Sequence, residues 1–325
     1  MKRRDFLTGL GSVALAGPRV VDAQARTYRL GTVNPVFAMT DTSPFAKPLV
    51  AALADHGYAI GKNLVIEARG AAGDVSKIPA LLQELKAQHV DALVIVGYPT
   101  ALAAKPLGIP TVAALGLGDP VATGLIQSLA HPGGNITGIS DSAAELSTKR
   151  LSLLQELSPK LSKVAMLWNR DDLGMTLRYE ASAKAARAAG IAVLAVGVAE
   201  PDDFTEAFTL MASERPDAIL MVADSLTMLN RQRVFEFAAA RRLPAIYEFD
   251  FLARDGGLMS YGPDIKESLE RAADLVGRIF QGASPSDLPF EQPTRYPLVI
   301  NLKTAKAMGL DVTPTLLALA DEVIE

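Results

Sequence analysis

The chain has 325 residues, of which 49% are hydrophobic, with 32 Lys/Arg against 36 Asp/Glu and no cysteine. This mildly acidic balance, without any basic run, argues against a nucleic-acid partner, whose phosphates call for clustered Lys and Arg. The lack of cysteine excludes disulfides, thiolate metal sites, a cysteine nucleophile and the acylated cysteine of a bacterial lipoprotein.

In chain order, the first segment is an address. Lys2-Arg3-Arg4-Asp5-Phe6-Leu7 forms a twin-arginine pattern, a Gly/Ala/Leu stretch from Thr8 to Gly17 follows, and Ala23-Gln24-Ala25 supplies small residues for a peptidase. A charged start, a short apolar middle and a small-residue exit describe an export signal, with cleavage expected after Ala25. The apolar part is about ten residues, short of the roughly 20 that a membrane-spanning helix needs. The expectation is therefore a soluble periplasmic protein. Its mature part keeps 28 basic and 34 acidic residues, a net charge of −6.

Beyond the signal, short apolar runs alternate with helical patterns almost to the end. The expected strands are Arg29–Val33, Leu64–Ala68, Ala92–Val96, Thr111–Leu115, Val164–Trp168, Ala192–Val196, Ala218–Val222, Ala245–Tyr247 and Leu258–Tyr261. Their continuous apolar character, without in/out alternation, suits parallel strands covered by helices on both faces. Between them the period becomes helical. Leu146, Leu153, Leu154 and Leu157 mark a helix from Ser142 to Pro159, and Phe204, Ala207, Phe208 and Met211 mark another from Asp202. Asp203 with Glu206, and Asp264 with Glu267, read as capping boxes. The βαβα order predicts a doubly wound α/β fold, and the length predicts two lobes.

The breaker clusters His131-Pro132-Gly133-Gly134-Asn135 and Gly282-Ala283-Ser284-Pro285-Ser286-Asp287-Leu288-Pro289 place the lobe boundaries, and the second precedes a short extended piece, Tyr296–Leu302. Residues 26–139 with 263–293 are expected to form lobe 1, and 140–262 with 294–325 lobe 2. The chain would then cross between lobes three times.

Signatures of catalysis are missing. Gly138-Ile139-Ser140-Asp141-Ser142 lacks the second glycine of a nucleophile elbow. Gly116-Leu117-Gly118-Asp119-Pro120-Val121 begins like a dinucleotide loop but lacks its third small residue, and Gly57–Asn63 reads as a turn rather than a phosphate loop. His56, His89 and His131 have no partner at helical spacing, so no metal site is expected, and no cofactor.

Several segments resemble a known family. His56-Gly57-Tyr58-Ala59-Ile60-Gly61-Lys62-Asn63-Leu64, Asp119-Pro120-Val121-Ala122-Thr123-Gly124-Leu125, Pro132-Gly133-Gly134-Asn135-Ile136-Thr137-Gly138, Met259-Ser260-Tyr261-Gly262-Pro263 and Val299-Ile300-Asn301-Leu302-Lys303-Thr304-Ala305-Lys306 are similar to those of ABC-transporter solute-binding components. The nearest branch is the one akin to tryptophan- and other aromatic-amino-acid-binding lipoproteins. The resemblance implies a type I periplasmic binding protein with two Rossmann-like lobes joined by three hinge strands. Such a protein, expected here as a monomer, closes on a small solute and delivers it to an inner-membrane ABC permease. It is not an enzyme. Many relatives are anchored through a lipidated cysteine, which this chain lacks. A sensor presenting its closed form to a membrane receptor is the alternative, and a secreted α/β enzyme a further one that turnover would reveal.

In open α/β sheets, ligands bind beyond the carboxyl ends of strands. The residues that directly follow expected strands are therefore the site candidates: Asn34, Tyr98, Thr100, Ala101 and Asp119 from lobe 1, and Trp168, Asn169, Asp224, Glu248, Asp250 and Tyr261 from lobe 2. Thr100, with the amide of Ala101, would meet a ligand carboxylate, and otherwise is an N-cap. Asp224 would meet an ammonium group, with Glu248 and Asp250 as alternatives, and each could instead cap a helix. Asp119 could cap the turn at Pro120. Trp168 would stack on an apolar side chain or cover the lobe core, and Tyr98 and Tyr261 share that ambiguity. Asn34 and Asn169 would orient polar ligand atoms or hold turns. Arg231, Arg233, Arg241 and Arg242 read as a solvated face, which disfavours a multiply charged anion and fits a zwitterionic amino acid or similar small organic acid better; the resemblance narrows this to an amino acid with an apolar or aromatic side chain.

Overall fold

A computed structural model describes residues 26–140 and 143–325; the export signal lies outside the described residues. Two sheets organise the chain. The first takes β1 (Tyr28–Asn34), β2 (Leu64–Gly70), β3 (Ala92–Val96), β4 (Thr111–Leu115) and β5 (Ile136–Gly138) in the order β2-β1-β3-β4-β5, all parallel. Around it lie α1 (Lys47–Asp55), α2 (Ile78–Ala87) and α3 (Tyr98–Ala104).

The second sheet is built from β6 (Lys163–Asn169), β7 (Ala192–Val198), β8 (Ala218–Met221), β9 (Ala245–Tyr247), β10 (Met259–Tyr261), β11 (Leu298–Asn301) and β12 (Glu322–Ile324). Its order is β12-β11-β10-β9-β8-β6-β7, parallel except where β10 meets β11. Its helices are α4 (Ala143–Leu157), α5 (Leu173–Ala188), α6 (Asp203–Glu214), α7 (Ser225–Leu229), α8 (Arg231–Arg241) and α9 (Asp250–Arg254), followed after the return crossing by α11 (Leu302–Met308) and α12 (Pro314–Leu319). Between them in sequence, α10 (Ile265–Phe280) goes back to the first sheet and packs on α1, β3 and β4.

Strand after strand, alternate residues enter different cores, as helices on both faces require. Along β6, Val164, Met166 and Trp168 pack with Leu154 and Met175 of α4 and α5, whereas Ala165 and Leu167 pack with Phe204 and Val234 of α6 and α8. In β3, Ala92, Val94 and Val96 join Leu49 and Val276 of α1 and α10, while Leu93 and Ile95 join Leu82 and Ala101 of α2 and α3.

Three crossings connect the lobes: from β5 to α4, from β10 to α10, and from Glu291 to β11. The first and third run side by side, with Ile139 bridged to Glu291 and the Ser140 amide donating to the Glu291 carbonyl at 2.8 Å. Glu267 of α10 clamps the third, accepting from the amides of Thr294 and Arg295 at 3.0 and 2.9 Å.

That use of Glu267 corrects the expected capping box. Asp264 caps α10 by accepting from the amides of Lys266 and Glu267, but the Glu267 carboxylate turns to the hinge. Asp203 likewise accepts from Ala199 and caps the turn before α6 rather than its first turn. All nine expected strands are present. The extended piece expected at Tyr296–Leu302 is β11, whereas β5 and β12 were not anticipated.

Candidate functional site

The carboxyl ends of β1, β3 and β4 face those of β6, β8 and β9 across a cleft between the lobes. Its wider part has a volume of about 340 Å³ and is lined largely by apolar side chains, among them Phe37 and Phe45 from lobe 1 and Met228, Phe249 and Phe251 from lobe 2. A narrower corner continues from it, lined by Gly97, Pro99 and Gly116 on one side and Asp172, Asp224 and Ser225 on the other. Asn34, Val36, Val96, Leu115, Met228 and Phe249 line both parts, so the two are one space.

Two carboxylates sit in the corner. Asp224 caps α7: its Oδ1 accepts from the Thr227 amide at 2.9 Å, and the Thr227 hydroxyl accepts from the Asp224 amide at 2.9 Å. Asn169, at the end of β6, donates to Asp224 Oδ2 at 2.6 Å. Asp172 caps α5 by accepting from the Met175 amide at 3.1 Å. Burial and the nearby Asp224 charge push the Asp172 carboxyl up to about 6, and burial raises that of Asp224. Like charges withdrawn from water raise one another's pKa, so the corner is a place where a cation is welcome. Across the cleft, the Tyr98 phenol is raised by burial first and by Asp172 second.

Beneath the corner lies a buried ion cluster. Glu248 is 1% exposed, and its carboxylate takes Arg150 at 3.0 Å and Arg178 on the other oxygen. Arg150 also donates Nε to the Tyr261 carbonyl at 2.7 Å, which ties the cluster to the end of β10 where the chain crosses. Glu248 was expected as an alternative ammonium partner; both its oxygens are already held by arginines, so it braces the lobe instead.

Other expected contacts also fall elsewhere. Asp250 pairs with Arg254 at 2.6 Å and accepts from the Phe251 amide, away from the cleft lining. Asp119 caps the turn at Pro120, accepting from Val121 and Ala122 at 2.9 and 3.0 Å. Trp168 stacks on Tyr179 with centroids 3.7 Å apart and donates to the Thr176 hydroxyl, as part of a lobe core. Thr100 and Ala101 are 0% exposed, and the Thr100 hydroxyl has no hydrogen-bond partner among the described residues. Neither lines the cleft, because α3 turns them inward toward lobe 1. The Tyr261 ring faces Tyr296 at 6.4 Å, at the crossing.

Asn34 and Asp224 of the expected residues therefore line the cleft, Asn169 stands directly behind Asp224, and Tyr98 lies on the opposite side without lining it. Sequence reasoning missed Asp172, the aromatic wall and Arg231. Asp172 was findable, being the last acid before the helix after β6. Arg231, placed by its sequence pattern on a solvated face, lines the cleft and pairs with Asp255 at 2.8 Å.

The lips touch. A Cβ built on Gly174, at the start of α5, would lie 2.7 Å from the Leu117 carbonyl oxygen, and one on Gly118 would lie 2.6 Å from the Gly174 carbonyl oxygen. Gly118 has φ +69, a conformation that side chains disfavour. Backbone meets backbone here, so the lobes are closed over the cleft.

An interlobe cleft between two largely parallel sheets is the geometry of a solute receptor, and the sequence comparison agrees: residues 44–324 match the family described as ABC transporter substrate binding protein. The chain belongs to this family. A tyrosine-binding protein of Clostridioides difficile is 25% identical over 266 residues, covering 81% of this chain and 76% of that one. A conserved domain protein of Vibrio cholerae O1 biovar El Tor has a solved structure that matches with TM-score 0.85 at 24% identity, covering 92% of this chain and all 100% of that one. The structure of an ABC domain from Streptococcus pneumoniae in complex with L-Trp matches with TM-score 0.81 at 24% identity, with coverage of 92% and 100%. The protein is thus a solute-binding protein of the type I periplasmic-binding fold. Among the described residues, no helix is long and apolar enough to cross a membrane, and no group of three or more His, Cys, Asp or Glu could hold a metal ion.

Proposed function

We propose that the chain is the exported, periplasmic receptor of an ABC importer, that it binds an amino acid with an aromatic side chain, and that it releases this solute unchanged to an inner-membrane permease. The observation that carries the reading is the paired carboxylates of Asp172 and Asp224 at the closed corner of an aromatic-lined cleft. An ammonium group placed between them neutralises two acids that burial and mutual repulsion leave uncomfortable. The Ser225 hydroxyl, lining the same corner, is the donor assigned to the carboxylate. Phe37, Phe45 and Phe249 then receive a ring by offset or edge-to-face contact. The relatives described as binding tyrosine or holding L-Trp support the aromatic choice. The twin-arginine segment supports export.

Closure follows from the same contacts. Asp172 and Asp224 belong to lobe 2, whereas Phe37 and Phe45 belong to lobe 1, so a ligand touching both stabilises the closed form. A thermal-shift screen of the mature, refolded chain against the common amino acids, sugars and dicarboxylates tests the reading. At 100 times its dissociation constant, a ligand adds about 2.7 kcal/mol of stability. Shifts confined to aromatic amino acids are expected, and shifts with sugars or dicarboxylates alone would overturn the assignment.

A further inference from the structure

The cleft has a second polar end. α7 runs along it with Asp224 as its N-cap, and Arg231 follows just after its last residue, Leu229. The five residues of α7 alone rise about 7.5 Å between these two ends, before the Asn230 turn that precedes Arg231. That span suits an ammonium at one end, a six-membered ring between, and a hydrogen-bonding group at the other.

Arg231 donates Nε to Asp255 Oδ2 at 2.8 Å and Nη1 to the Met228 carbonyl at 2.9 Å. A guanidinium carries five N–H groups and a carboxylate two oxygens, so these bonds leave the pair with both donors and an acceptor to offer. Its side chains are 32% and 37% exposed, which places the pair at the mouth rather than in the core. Around it the lining is apolar: Phe37, Phe45, Leu229, Phe251 and Ile265. Asn34, the remaining polar lining residue of this part, has its Oδ1 engaged by the amides of Val36 and Phe37.

A donor and an acceptor held side by side at the end of an apolar slot match a group that both accepts and donates, which is a hydroxyl. We propose that Arg231 and Asp255 read the far end of the ligand, and that the cleft selects an aromatic amine tipped by a phenolic hydroxyl over its hydrocarbon-tipped counterpart. The inference rests on the reading that the amine sits at Asp224. The phenol oxygen accepts from Arg231 while its O–H donates to Asp255. An indole N–H satisfies only the carboxylate, and a phenyl edge satisfies neither.

Calorimetric titration of the mature chain with L-tyrosine and L-phenylalanine tests this, in the native protein and in Arg231→Met, which keeps the apolar stem. A charge-assisted hydrogen bond gained on one ligand alone predicts a preference for tyrosine of about tenfold or more. In Arg231→Met that preference is expected to shrink to within about threefold, the thermal midpoint without ligand serving as the control for folding. Equal affinities in the native protein, or an unchanged ratio in the variant, overturn the readout by Arg231 and leave the aromatic-amine reading standing. Failure of the native protein to bind either compound overturns that reading itself, and this inference with it.

Discussion

Replacing Gly174 by alanine separates closure from folding. The residue is second in α5 and its φ is not positive, so in open lobes a methyl group there is free of backbone strain. Alanine favours a helix over glycine by up to about 1 kcal/mol, less in a first turn, so the open form keeps or gains stability. In the closed form the new Cβ would stand 2.7 Å from the Leu117 carbonyl oxygen and 3.1 Å from the Tyr98 Cβ. Contacts this short against backbone force the lobes apart, and overpacking of this kind costs about 1–3 kcal/mol. Charged to the closed state alone, the cost weakens ligand binding by about five- to 150-fold. Thermal melting with and without L-tyrosine, together with small-angle scattering, measures both sides. The expected result is an equal or higher midpoint without ligand, a smaller ligand-induced shift and a larger radius of gyration. Native affinity and native dimensions in Gly174→Ala would refute the idea that this seam sets closure.

Other consequences follow from the carboxylates and the ion cluster. Asp224→Asn removes the buried negative charge while keeping a cap for α7, and is expected to lower affinity for an amine-bearing ligand at least tenfold in calorimetry with little change in ligand-free melting. Asp172 has its carboxyl raised from an ordinary 3.8 to about 6, so the folded, ligand-free protein holds this proton more tightly than the unfolded chain. Its contribution to stability, on the order of 3 kcal/mol, is therefore present below about pH 4 and lost as the pH rises through about 6. A cationic ligand needs the ionised form, so affinity should rise across the same interval with proton release on binding; a flat affinity profile between pH 5 and 7 contradicts this. Glu248→Gln leaves Arg150 and Arg178 without their buried counter-charge and is expected to destabilise the protein by about 3–5 kcal/mol in denaturant unfolding, far more than an exposed acid such as Asp119 changed to asparagine. Thr100→Val removes a buried hydroxyl without a partner and should raise stability by about 1 kcal/mol, with ligand affinity unchanged.

The strands were legible because a buried parallel strand must be apolar on both sides, and runs such as Ala92–Val96 and Ala218–Val222 carry that mark. β5 and β12 were not, since three residues beside Gly134 or at the chain end show no period. Strand ends brought Asn34 and Asp224 to the cleft lining and Asn169 to the Asp224 carboxylate. They pointed equally to Glu248, Asp250 and Thr100, because where a side chain turns after a strand depends on the packing of the next helix. Asp224 and Glu248 are both acids just beyond apolar strands; only the arrival of Arg150 from α4 and Arg178 from α5 separates a bracing group from a ligand partner. Arg231 looked solvated because it falls in a run with Arg233, Arg241 and Arg242, none of which lines the cleft; Arg233 and Arg241 lie over the rings of Phe204 and Phe237 instead. The aromatic wall escaped notice for a related reason: Phe37, Phe45, Phe249 and Phe251 come from three separate loops and helices of two lobes.

The central claim is that the Asp172–Asp224 corner holds an amine while the aromatic wall holds a ring. Calorimetric titration of the native chain at pH 7.5 with L-tyrosine and with its deaminated analogue, 3-(4-hydroxyphenyl)propionate, isolates the amine. The account predicts binding of L-tyrosine and a loss of about 100-fold or more for the analogue, whose carboxylate enters the corner without a counter-charge. Equal affinity for the two compounds would contradict it.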